Sequence, residues 1–492
     1  MLAVVLCAAL AGCGGTNQFG SQPQNNGNST VVLAMTDTPP SNASILSAKV
    51  TLTGATLSPG NVSLFSGSTT VELTRLQTDV AYLATATNIP AGNYTSVTLT
   101  FANPSLTIEN DTASVIGSCA VGSICTMAPT STANLSTTVP LASFTAASTA
   151  PLGILVDVNL DNLLTTSLGA DFGAGTSVTT FVPGSTAAPP TGAPPVGAED
   201  VVGHVQSINS SNSTFTLTNA LGSYVLKVTS GSTFLQFPNS GSCTTPAFAC
   251  LQNNQILSVD IGIQSDGSIY ARNILFEDAD SSDLEIEGMI TSTNAASQQF
   301  NFVILSTSSS FTGLAIGMPA TVQYSNSPQT PFDVDFVHAD NLQINTSSFA
   351  SSFTGPADLV AGQQVSIRRN SSSGSILLAD RLRLRSSRVT ATVQSVGAPN
   401  IILKNLPSLF FGHGGVTQII SQTSAVPPTI YYSTTSSINA STNILGDQVS
   451  VRGPLFNTGG TNRTLIASKV GLKPAPLKPY AGRGELSTRD IW

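Results

Sequence analysis

Val97-Thr98-Leu99-Thr100-Phe101 alternates apolar and hydroxylated side chains at every position. A period of two puts Val97, Leu99 and Phe101 on one face of an extended strand and the threonines on the other, the pattern of a strand that is half in a core and half in water. The alternation returns in Ile154, Val156, Val158 and Leu160, with Leu155, Asp157 and Asn159 between them. Ser58-Pro59-Gly60 and Pro90-Ala91-Gly92-Asn93 supply turns between such runs. Short alternating strands with frequent turns predict a β-sandwich over 31–183. One helical turn is expected within it, where Leu73, Leu76, Val80 and Leu83 recur at helical spacing.

Composition extends this reading to the whole chain. Charged residues make up 9% of the 492 positions, against roughly 25% in ordinary soluble domains. Ser and Thr take their place as solvating groups; Thr favours strands and Ser favours turns. The expected class is all-β. A net charge of −8 argues against a general nucleic-acid binder, which would be basic.

Beyond residue 183 the prolines of Pro189-Pro190 and Pro194-Pro195 mark a semi-rigid linker, 184–199. The chain then repeats itself. Leu257-Ser258-Val259-Asp260 leads to Ala271 and Ile274, Val365-Ser366-Ile367-Arg368 to Ala379 and Leu382, and Val449-Ser450-Val451-Arg452 to Ala467 and Val470. Self-similarity at this spacing predicts tandem domains, since solenoid repeats run about 20 to 50 residues. The three modules span 200–279, 284–386 with an insertion around 310–340, and 388–473, the last diverged and without the opening Gly. A tail, 474–492, follows.

Two resemblances attach to these residues. Val32-Leu33-Ala34-Met35-Thr36-Asp37-Thr38-Pro39, Ala48-Lys49-Val50-Thr51-Leu52, Val71-Glu72-Leu73-Thr74-Arg75-Leu76 and Ile89-Pro90-Ala91-Gly92-Asn93-Tyr94-Thr95-Ser96-Val97-Thr98-Leu99 resemble a β-sandwich domain of unknown function. That family occurs near the N-terminus of many bacterial envelope lipoproteins and offers no catalytic residues to carry over. Gly203-His204-Val205, Thr214-Phe215-Thr216-Leu217 and Asp266-Gly267-Ser268-Ile269-Tyr270-Ala271 resemble small β-barrel domains of unknown function, common in bacterial exported proteins. If those barrels are of the oligonucleotide- and oligosaccharide-binding type, a ligand face is implied.

Leu10-Ala11-Gly12-Cys13 closes an apolar run and resembles a bacterial lipobox. This implies a lipoprotein signal peptide at 1–12, lipidation of Cys13, and a flexible polar tether at 13–30, so that several acyl chains hold the protein to a membrane. Gly14 after Cys13 implies an outer-membrane address in a diderm cell. Four further cysteines fall into two close pairs, Cys119 with Cys125 and Cys243 with Cys250. Four cysteines allow three connectivities; in an exported chain the local pairing is expected, as clips on long loops.

Chemistry-bearing constellations are few. His204, His338 and His413 sit in no metal-binding or nucleophile motif, and Gly412-His413-Gly414-Gly415 reads as a glycine-rich turn. Glu277, Asp278, Asp280, Asp283 and Glu285 offer oxygen ligands at a spacing that fits no EF-hand, and read as a solvated junction. Asp333, Asp335, His338 and Asp340 form a second cluster in the insertion; Asp333 and Asp335 share a strand face and are weak candidates for a metal or a hydrolytic carboxylate pair. The strongest patch is basic. Arg381, Arg383 and Arg385 project from one face of a strand, Arg368 and Arg369 lie on its hairpin partner, and Arg388 follows. Neighbouring like charges need an answering anion. An external carboxylate, phosphate or sulfate, as in an envelope polysaccharide, is one answer; an edge-protecting face or acidic residues of another module are the others. The expected function is a non-catalytic, lipid-anchored envelope protein that binds or scaffolds. The alternatives are recognition of anionic glycan through the arginines, and a glycan hydrolase. No cofactor and no nucleic-acid partner are expected.

Overall fold

The computed structural model describes residues 18–19, 28–38, 45–185, 197–236, 243–278, 283–335, 353–404, 406, 408–411, 420–421, 429–431, 445–457 and 463–473, apart from 112, 148–149, 166, 311–312, 374–375 and 398–399. Cys13, most of the proline-rich linker, Asp280, His338, Asp340, His413 with its glycines, and the tail lie outside the described residues.

The short strand β1 (Gln18–Phe19) precedes a sandwich of β2 (Ser29–Thr38), β3 (Ile45–Ser58), β4 (Val62–Glu72), β5 (Ala81–Ile89), β6 (Gly92–Glu109), β7 (Ile124–Met127), β8 (Thr132–Ala133), β9 (Ser136–Ala146), β10 (Leu152–Asn159), β11 (Ala170–Asp171) and β12 (Thr176–Phe181). One sheet runs β12-β10-β2-β5, with β10 and β2 parallel; the other runs β4-β3-β6, with β7 and β9 both along β6. Val97, Leu99 and Phe101 are buried in the same core as Leu33, Met35, Ile154, Val156 and Val158. On the opposite face of β6, Thr98 meets Thr138 at 2.8 Å between hydroxyls. The alternation in the sequence is therefore the division between core and water.

The Pro90-Ala91-Gly92-Asn93-Tyr94 segment makes a tyrosine corner. The Tyr94 hydroxyl donates to the Pro90 carbonyl at 2.8 Å while its ring packs beside Phe144 in the core. Tyr94→Phe is expected to cost about 1 kcal/mol, the net worth of one such bond, read as a lowered urea midpoint with an unchanged slope.

The helical turn expected over Leu73 to Leu83 is shorter than its spacing implies. A 3₁₀ turn covers Leu73–Gln77, capped by the Glu72 carboxylate accepting from Thr74 N, and β5 begins at Ala81. Asp79 stops the helix from continuing, because its side chain is drawn into ion pairs with the third barrel.

Three barrels follow. The first is β13 (Gly197–Asn209), β14 (Thr214–Thr218), β15 (Ser223–Gln236), β16 (Ile256–Ile263) and β17 (Ile269–Asp278). They close in the order β13-β14-β15-β17-β16-β13, antiparallel except at the parallel β15–β17 seam, and β1 adds to the outside of β15. The second repeats this with β18 (Leu284–Asn294), β19 (Gln299–Thr307), β20 (Pro319–Gln323), β21 (Phe332–Val334), β22 (Gln364–Ser373) and β23 (Ile376–Leu384). Its third strand is split, β20 and β21 both running parallel to β23. The last is β24 (Ser386–Gly397), β25 (Asn400–Lys404), β26 (Ile420–Ser421), β27 (Thr429–Tyr431), β28 (Gln448–Asn457), β29 (Arg463–Leu465) and β30 (Lys469–Lys473). Here the split extends to the fifth strand: β26 meets β29, and β27 meets β30. The protein is thus all-β, a sandwich followed by three small barrels of one topology.

The opening glycines have a packing reason. A Cβ on Gly203 would lie 2.7 Å from the Thr218 carbonyl oxygen, and one on Gly288 would lie 2.3 Å from the Phe302 ring. The third barrel places Ala391 at the matching register position, opposite Val449. The cores are not isolated from one another: sandwich and first barrel share one apolar cluster, and Phe456 and Ile466 of the third barrel reach into the core of the second. Cys119–Cys125 and Cys243–Cys250 are disulfide-bonded, with Cα separations of 5.7 and 5.9 Å, so the local connectivity holds.

Candidate functional site

The fourth and first strands of each barrel bring two side chains together next to the recurring Val/Leu-Ser-Val/Ile step, and charge at this place changes from barrel to barrel. The first barrel sets Asp200 against Asp260, whose Oδ1 accepts from Asp200 N at 3.0 Å. The second pairs Glu285 directly with Arg368. The third pairs Arg388 directly with Arg452. The series runs acid with acid, acid with base, base with base. Like charges opposite one another destabilise a sheet taken alone, so the first and third barrels each need a partner of the other sign.

They find it in a buried centre to which all four domains contribute. Arg385, fully buried, donates to Asp335, to Glu277 at 2.6 Å, to Asp200 at 3.4 Å and to Ser366 at 3.0 Å. Arg383 bonds Glu277 and, at 3.2 Å, Asp333. Arg381 reaches Glu285 at 2.9 Å and the Glu277 carbonyl at 3.1 Å. Arg368 bridges Asp278 at 2.5 Å and Asp380 at 2.7 Å. Arg452 and Lys469 both pair with Glu199 of the first barrel.

The sandwich enters through the turn that follows β4. Asp79 accepts from Arg388 at 2.8 Å, Lys469 at 3.2 Å and Arg452 at 3.3 Å. Arg75 pairs with Glu287 of the second barrel and donates to the Asp200 carbonyl of the first at 3.0 Å. Gln77 accepts from Thr390 at 3.3 Å. Residues 75–79 therefore touch every barrel.

These contacts decide one open alternative and correct two expectations. Of the answers open to the arginines, acidic residues of other modules is the one that holds, and an external anion is contradicted: Arg381, Arg383, Arg385 and Arg388 are buried and answered by carboxylates of this chain, and Arg369 is buried as well. The acidic junction is not solvated, since Glu277 and Glu285 are buried and carry those arginines. Asp333 and Asp335 do not stand as a paired carboxylate site; each is bonded to its own arginine. The common reason is electrostatic. Ions taken out of water need partners at close range, and 18 basic side chains among 492 residues leave few to spend on the surface. The register itself stands as expected, with Arg368 opposite Arg381 in one hairpin.

The field of this centre displaces its acids and bases. Burial works against the Asp79 carboxylate, but Arg452, Lys469 and Arg388 outweigh it and hold its pKa well below the usual carboxylate range. Burial opposes the Arg385 charge and is likewise overcome, by Asp200, Asp335, Glu285 and Glu287. Arg383 goes the other way, its pKa lowered by burial and then by Arg385. Asp333, at the half-exposed rim, is pushed up to about 6, chiefly by burial, with Arg381 opposing and Glu285 adding. Its folded-state pKa lies above its unfolded one, so its contribution to stability is complete below about pH 4 and is lost as pH rises through 6. Asp333→Asn is expected to flatten the stability profile between pH 4 and 6, checked by urea midpoints across that window.

Sequence reading missed Arg75, Asp79, Glu199, Asp200, Glu287, Arg452 and Lys469. The signal was present for one of them: Arg452 stands at the same step of the repeat as Arg368 and Asp260. Asp79 and Arg75 gave none, because their ion-pair partners are more than 200 residues away.

No curated protein matches the chain. The model of a family described as "Domain of unknown function (DUF4382)" matches residues 28–186, the sandwich with its flanks, which is consistent with an uncharacterised N-terminal domain.

Proposed function

We propose that the protein is a non-catalytic scaffold of the bacterial cell envelope, a lipoprotein held by acyl chains on Cys13 and presenting the sandwich and the three barrels as one body. One observation carries the reading: the arginines and carboxylates that the sequence offers for work on a substrate are paired with one another and with their neighbours at the junction of the four domains. Buried away from solvent and bonded at short range to internal partners, these groups are out of reach of a substrate or an external anion. The lipobox-like Leu10-Ala11-Gly12-Cys13 and the polar stretch behind it supply the address.

The test grows a bacterium expressing the chain with an alkyne-tagged fatty acid. The tag is expected on the wild type, which pellets with membranes, and not on Cys13→Ser, which stays in the soluble fraction. An untagged wild type would contradict the anchor. In the same preparations, envelope polysaccharides are expected to gain no reducing ends; their release by wild type and its loss in Asp333→Asn or Asp335→Asn would replace the scaffold with a hydrolase.

A further inference from the structure

The parallel seam of the first barrel is open at one point. Val228 faces Ala271 and Thr233 faces Asn273, so the four residues 229–232 loop out opposite the single residue Arg272. The loop is tied in place: Ser232 Oγ donates to the Ala271 carbonyl at 2.6 Å, and Thr229 N donates to Ser232 Oγ at 2.9 Å. Bulges of this kind re-aim a side chain. Here the notch continues into an open groove of about 580 Å³ whose walls include Thr229, Gln264, Tyr270, Arg272 and Asn273.

Two of these side chains are set for recognition. The Tyr270 ring lies over Gly262, where a Cβ would stand 2.5 Å from its Cε1, so the ring is seated on backbone while the residue remains partly exposed in the groove. Arg272 exposes 42% of its side chain, and its guanidinium is steadied by Glu199 at 3.1 Å. A pinned aromatic face suits the apolar face of a sugar ring, and a fixed guanidinium suits a carboxylate. Amide and hydroxyl groups around them match sugar hydroxyls.

We propose that this groove binds an acidic oligosaccharide, a sugar ring stacking on Tyr270 and a uronate carboxylate pairing with Arg272. The site lies on the seam of the barrel, where Arg272 shares Glu199 with the buried Arg452 and Lys469 but reaches solvent as they do not, and it does not depend on the lipid anchor. A phosphate-bearing strand of nucleic acid is the poorer fit, because the groove carries one guanidinium and the chain is net acidic.

The full chain is titrated by calorimetry with tetrasaccharides of galacturonate, alginate and hyaluronan, the methyl ester of the galacturonate tetramer, and an oligothymidylate. At least one uronate tetramer is expected to bind in the micromolar to low millimolar range. Arg272→Gln is expected to weaken it about tenfold, the loss of one charge-assisted contact, and to leave the weaker methyl-ester binding unchanged. Tyr270→Leu, which keeps apolar cover over Gly262, should weaken both forms; thermal melts of both variants within a few degrees of wild type establish that they fold. Failure of every uronate tetramer to bind at 5 mM overturns the proposal, as does uronate binding indifferent to both substitutions, or binding of oligothymidylate alone. Each of these leaves the tagging result at Cys13 untouched.

Discussion

Asp79→Asn is expected to lower the stability of the whole protein by about 3–5 kcal/mol, the cost of removing one partner from a buried ion cluster. Asp79 holds Arg388, Arg452 and Lys469 together at 2.8–3.3 Å, and Asn leaves three buried cations to Glu199 and Gln364. Urea unfolding measures the loss. Its pH dependence supplies a second check. The folded pKa of Asp79 lies below its unfolded value, so its contribution is present above about pH 4 and disappears as pH falls through the folded pKa. The gap between wild type and variant should therefore be widest near neutrality and close in acid.

Arg385→Met is the complementary loss on the acidic side, also expected to cost about 3–5 kcal/mol. It strips the guanidinium from Glu277, Asp335 and Asp200 and leaves carboxylates buried without it. Asp335→Asn should be costly in wild type and nearly neutral in the Arg385→Met background, because the bond it removes is then already gone. Equal costs in the two backgrounds would mean that the pair is not coupled.

Buried ion pairs are weak contributors to net stability, since desolvation offsets most of their attraction. Their effect here is on selection. The first barrel carries surplus acid at its junction, the third carries surplus base, and the second carries both. A barrel in the wrong place would bury like charges against each other. The sandwich closes the arrangement with one residue of each sign, Arg75 facing acidic Glu287 and Asp79 facing the basic third barrel.

This explains what could be read from residues alone. Val97, Leu99 and Phe101 announced their strand because burial of one face is a local property with a period of two. The hairpin of Arg368 and Arg381 was legible for the same reason, and so were its two strands in repeat. Whether those arginines faced water was not legible, because the answer lay in Glu277 and Glu285, which a local reading takes for a solvated acidic run. The helix suggested by Leu73, Leu76, Val80 and Leu83 failed at Asp79, where a contact with Lys469 across 390 residues overrides local spacing. The first barrel's groove was invisible in sequence, since it arises from a four-residue bulge whose partner strand lies about forty residues on.

Hydrogen exchange followed by mass spectrometry on wild type and Asp79→Asn tests the central claim most directly, that four domains share one ion-paired centre. Under conditions where the variant remains folded, faster exchange is expected together in β2 and β5 of the sandwich, in β13 and β16 of the first barrel, and in β24, β28 and β30 of the third. Faster exchange confined to residues 73–81, with all three barrels exchanging as in wild type, would contradict it.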